Sequence, residues 1–91
     1  MSKQGYLVTV LPDAIKQVRK LPKKVRQNID TRIAELGIDP QPQMAIPLKG
    51  MMAIWRLRVG NHRIIYRLDH AARVVTVLYV ERRREDTYRG F

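Results

Sequence analysis

The sequence predicts an α+β fold: an amino-terminal strand, a helical hairpin and a three-stranded antiparallel meander, with the helices on one face of the sheet. Three observations predict it. Apolar residues recur at helical spacing from Ala14 to Leu36, the period drops to two after Gly50, and Gly60-Asn61 lies between two alternating runs as a hairpin turn. With 91 residues, no repeat and no long linker, residues 1–91 read as a single domain.

The elements follow in order. Tyr6-Leu7-Val8-Thr9-Val10 is a short apolar, partly β-branched run, a strand that Leu11-Pro12-Asp13 stops. Ala14, Ile15, Val18 and Leu21 recur at helical spacing, which predicts a short amphipathic helix over residues 13–20. Pro22 closes it and suits the first turn of the next helix, where a missing N–H costs nothing. Val25, Ile29, Ile33 and Leu36 then form one apolar stripe, and Gly37 supplies the stop. From Gly37 to about Gly50 the prolines at 40, 42 and 47 predict a loop without regular structure. Trp55, Leu57 and Val59 alternate with Ile54, Arg56 and Arg58, giving a strand with one buried and one basic face. Past the hairpin, Ile64, Tyr66 and Leu68 take the core side, with Arg63, Ile65 and Arg67 opposite. Asp69 to Arg73 turn the chain, and Val74 to Val80 is apolar enough for a central strand.

Charge narrows the function classes. Eighteen Lys+Arg against eight Asp+Glu give a net charge of +10 and point to a polyanionic partner. All six lysines precede residue 50, whereas every base from Met51 onward is an arginine, nine against four acids. Arginine holds phosphate bidentately through a planar fork and stays charged. There is no cysteine, so disulfide frameworks and thiolate metal sites are excluded. No apolar run matches a bilayer span and no signal-peptide pattern opens the chain, so a cytoplasmic protein is expected.

If the helices cover Trp55, Leu57, Tyr66 and Leu68, the pleat sends Arg56, Arg58 and Arg63 to the uncovered face. Facing arginines repel, so a counter-charge is expected there. The tail arginines leave the last strand at its end and are expected to curl toward that cluster.

Leu48-Lys49-Gly50, the run from Trp55 to Tyr66 (WRLRVGNHRIIY), Val80-Glu81-Arg82-Arg83 and Tyr88 together resemble the RelE/ParE superfamily of toxin–antitoxin toxins. The likeness is closest to the RelE-type ribosome-dependent mRNA interferases and spans nearly the whole chain. It implies a compact RelE/ParE-like β-α-α-β-β-β fold, a cognate RelB-like antitoxin, and cleavage of mRNA in the ribosomal A site without metal or other cofactor. Such cleavage is attack of a ribose 2′-OH on the adjacent phosphorus, which needs a proton acceptor, a cradle for the phosphorane and help for the leaving 5′ oxygen.

Carried across by resemblance, Arg63 supports the transition state, Arg82 binds the phosphate and assists the leaving group, and Tyr88 is the candidate general base. Arg56 and Arg58 stand where RelE has a pair of lysines, which keeps the grip on phosphate but removes a possible base. Arg84 and Lys49 are further RNA contacts. His62 precedes Arg63, titrates near neutrality and is a rival base. Each reading has an ordinary competitor. Trp55 and Tyr66 are read as core residues, Arg67, Arg73 and Arg83 as solvated surface or phosphate contacts outside the catalytic set, and the helical lysines as solubilising charge or ribosomal RNA contacts. Two rivals remain: a ParE-like gyrase-inhibiting toxin without nuclease activity, which shares the fold but generally lacks a set such as Arg63, Arg82 and Tyr88, and a degenerate RNA-binding member.

Overall fold

The computed structural model describes residues 5–82. Strand β1 (Leu7–Val10) leads into helices α1 (Pro12–Arg19) and α2 (Lys23–Glu35). Strands β2 (Ile46–Pro47), β3 (Ile54–Val59), β4 (His62–Asp69) and β5 (Val74–Arg82) follow. The five strands form one sheet in the order β1-β5-β4-β3-β2. The meander β3-β4-β5 is antiparallel as expected, and β1 adds to it in parallel with β5, Leu7 opposite Val74 and Val10 opposite Val77.

Both helices lie on one face. Ala14 and Val18 of α1, with Ile29, Ile33 and Leu36 of the second helical stripe, pack on Leu57, Val59, Ile64, Tyr66, Leu68, Val75, Val77 and Val80. Ile15 departs from the expected stripe and is 40% exposed, because eight residues give α1 only Ala14 and Val18 at the spacing that meets the sheet. Pro12 does not merely stop the strand but opens α1, where its ring costs no hydrogen bond. Tyr66 is fully buried and its hydroxyl donates to the Pro40 carbonyl at 2.7 Å. That burial, with Asp39 nearby, pushes the phenol well above its ordinary pKa and keeps it neutral.

Two local expectations change. Ile46-Pro47 is not irregular but pairs antiparallel with Arg56 and Trp55 as the edge of the sheet. Proline is tolerated at such an edge, where its missing donor interrupts no ladder. Gly37 ends the second helix without a left-handed φ. It is small because a Cβ there would meet Val8 Cγ2 at 3.1 Å and the Tyr6 carbonyl at 3.2 Å, and its own carbonyl accepts the Tyr6 N–H at 2.8 Å. The hairpin turn stands as expected: Gly60 takes φ +60° and pairs Val59 with His62 across a two-residue loop.

Candidate functional site at the end of the sheet

Strict alternation along β5 from Val75 and Val77 would bury residue 81 and turn Arg82 outward. A bulge reverses this. Ile65 pairs with Tyr79, yet Tyr66 pairs with Val77, so Leu78 is an extra residue and every side chain after it changes face. Val80 is therefore 4% exposed while Tyr79 is 38% exposed. Arg82 falls in register with His62 on the helix side, and Glu81 faces Arg63 on the open side. The expectation that Arg82 joins Arg56, Arg58 and Arg63 on one face is thus corrected.

On the open side a row runs Arg58, Arg63, Glu81 across three strands. Arg63 Nε lies 3.2 Å from Glu81 Oε2, out of line for a hydrogen bond. The counter-charge expected for facing arginines is in part this carboxylate, a residue that sequence reasoning left unassigned. Arg58 also borders a cavity of about 390 Å³ whose lining includes Arg32, Glu35 and Asp39. The next row, Arg56, Ile65 and Tyr79, shows that the open face is not uniformly basic. Ile54 and Ile65 are 7% and 3% exposed there, and long side chains flank them across the strands.

On the helix side, at the same end of the sheet, His62 and Arg82 border a cavity of about 520 Å³ under the corner between α1 and α2. Burial, and then the Arg82 charge, lower the His62 pKa below its ordinary value, so the imidazole is neutral near pH 7. What holds Arg82 there is traceable. Strand β1 ends at Val10 because Pro12 starts a helix, so β5 beyond Val77 has no strand on its outer edge. Gln17 of α1 fills the gap: its Oε1 accepts the Val80 N–H at 2.7 Å.

The fold thus brings Arg58, Arg63 and Arg82 to one end of the sheet on its two faces, with Arg56 one row inward. Lys49 is not brought to them: it is exposed in the Leu48–Met51 turn, which leads into the opposite end of β3. Tyr88, Arg83 and Arg84 lie outside the described residues. Tyr66 is a core residue as read, and Trp55 is partly buried against that core. Among the described residues no helix is long and apolar enough to cross a membrane.

Residues 8–87 match the family model described as the ParE toxin of type II toxin–antitoxin system, parDE. No curated protein matches the chain in sequence. Solved structures agree on the fold. The archaeal RelE–RelB complex from Pyrococcus horikoshii OT3 aligns with TM-score 0.80 at 24% identity over 90% of this chain and 99% of that one. The isolated E. coli RelE toxin gives 0.77 at 24% identity over 93% of each chain. The YoeB/ParE toxin from Agrobacterium tumefaciens gives 0.71 at 18% identity, covering 86% of this chain and 99% of that one.

Proposed function

The chain belongs to the ParE toxin family of type II toxin–antitoxin systems, and from that premise we propose that it acts as a RelE-type endoribonuclease, cutting mRNA in the ribosomal A site. The observation that carries this reading is the concentration of arginine at one end of the sheet. The row Arg58, Arg63, Glu81 lies next to the pair His62 and Arg82. A strand that touches both Arg63 and Arg82 must bend around that end. Bending an RNA backbone is what brings a 2′ oxygen in line with the adjacent phosphorus and its 5′ leaving group.

In this mechanism the 2′ oxygen attacks phosphorus and its proton passes to a general base, the role assigned to Tyr88. Arg63 and Arg82 stabilise the charge of the phosphorane. The P–O5′ bond breaks with Arg82 stabilising the charge on the departing oxygen, which takes a proton from water, and the products are a 2′,3′-cyclic phosphate and a 5′-hydroxyl end. Arg56 and Arg58 hold flanking phosphates, as does Arg84, while Lys49, by the far end of β3, meets the RNA backbone away from the cut. The cognate partner is an antitoxin of the RelB kind, which keeps the toxin silent.

The test uses purified protein, ribosomes stalled on a defined mRNA, and mapping of new 5′ ends. A-site cuts are expected, and Arg63→Ala should abolish them while the thermal midpoint hardly moves. Near-normal cutting by that variant would remove Arg63 from the mechanism. A second reading is favoured by the family match itself: a ParE-like toxin that poisons DNA gyrase. Inhibition of supercoiling without RNA cuts would select it, and RNA binding with neither activity would mark a degenerate member.

A further inference from the structure

The cavity beneath the corner between the helices has the chemistry of a ligand site. Its volume of about 520 Å³ is in the range typical of small-molecule pockets, about 300–1,000 Å³. One wall is apolar and comes from the tight corner itself: Leu21, Pro22 and Val25. The facing rim is polar, with Asn61 at the hairpin turn and His62 at the start of β4. Two cations, Lys20 and Arg82, stand at the edge, and no acidic group is present among the described residues that line it. An apolar wall with a hydrogen-bonding edge and a cationic mouth suits a planar heterocycle that carries an anionic group.

Resting on the nuclease reading above, we propose that this cavity is a nucleobase subsite. It takes the base of one substrate nucleotide, extruded from the strand, with the scissile phosphate on Arg82, a neighbouring phosphate on Lys20 and the base edge on Asn61 and His62. Continuity with the open-face row supports RNA over an acidic peptide. His62 and Arg82 are one register row from Arg63 and Glu81 but on the other face of the sheet, so a strand seated here reaches Arg63 by rounding the sheet end. A neutral imidazole offers one donor and one acceptor, which can read a base edge. The aliphatic and proline walls supply sequence-tolerant packing on the ring, and the rim amide and imidazole supply the preference among bases.

The experiment is a titration of the full ¹⁵N-labelled chain with the four nucleoside 3′-monophosphates and with inorganic phosphate, followed by amide and side-chain shifts. At least one nucleotide should bind about tenfold or more tightly than inorganic phosphate, as base packing implies, and should move the Asn61 side-chain amide and His62. Val25→Trp, which fills the slot, should reduce nucleotide binding to the level of inorganic phosphate. Asn61→Ala, at an exposed turn position, should flatten the differences among the four bases without filling anything. Equal binding of all four nucleotides and inorganic phosphate would overturn the subsite. So would shifts confined to the open face, or full base-dependent binding by Val25→Trp of unchanged circular dichroism. If Val25→Trp fails to fold, Asn61→Ala carries the test alone. No ribosome enters the titration, so base-selective binding by a protein that cuts no mRNA would refute the nuclease and leave the subsite standing.

Discussion

Gln17→Leu should destabilise the protein and misplace Arg82 at once. The Val80 N–H lies on the edge of β5 that β1 does not reach, and Gln17 Oε1 accepts it at 2.7 Å in a partly buried setting. Leucine keeps the length and the helix propensity but removes the acceptor. A buried donor left without a partner costs about 1–3 kcal/mol. Partial burial argues for the lower half, about 1–2 kcal/mol, and a domain of this size loses roughly 4–8 °C of thermal midpoint per kcal/mol. Thermal melts followed by far-ultraviolet circular dichroism give the first readout. Gln17→Glu is the control, because a carboxylate accepts the same bond and should hold the midpoint above pH 6. The second readout is the His62 titration by NMR: once β5 loosens, the imidazole is less buried and Arg82 retreats, so its pKa should climb toward 6.5. A Gln17→Leu protein that melts with wild type and titrates as wild type would refute the view that α1 anchors the end of β5.

Three further predictions stand on other parts of the fold. The folded state holds the His62 proton less tightly than the unfolded chain does, so its contribution to stability is complete above about pH 6.5 and declines as pH falls below that value. His62→Gln should flatten that part of a stability-against-pH curve, and an unchanged slope would disprove the assignment. Glu81→Gln removes the carboxylate beside Arg63; it should tighten binding of a short RNA and change stability by less than about 1 kcal/mol, since the pair is partly exposed and Arg63 Nε is out of line for a hydrogen bond to the carboxylate. Weaker binding, measured by fluorescence anisotropy, would count against an RNA path over that row. Ile29→Ala empties a fully buried position under the sheet and should cost about 2–5 kcal/mol in urea unfolding; a smaller loss would mean that the core collapses around the gap.

Much of the architecture was legible because the periods are clean. The stripe from Ile29 to Leu36 and the alternation across Trp55 to Leu68 each name a core face, and Gly60-Asn61 names the turn between two strands. What was not legible depends on neighbours distant in sequence. Nothing in Ile46-Pro47 announces a strand, since two residues become one only by finding the edge of β3. Gly37 resembles an ordinary helix stop, yet its size is dictated by Val8 and Tyr6. In the site, Arg63 and Arg58 were readable from parity, whereas the role of Glu81 required the pairing of β4 with β5. The face of Arg82 was hidden for a stronger reason: the bulge at Leu78 leaves no mark in a run of apolar residues that serve either face.

That extra residue bears on how roles are transferred between relatives. A column-by-column comparison that passes position 78 without a gap would equate side chains pointing in opposite directions. Conversely, deleting Leu78 from this chain would exchange the surroundings of Glu81 and Arg82 without altering either residue. Within this fold the identity of a functional position is therefore a matter of frame, set by a single residue, Leu78, three positions before Glu81 and four before Arg82.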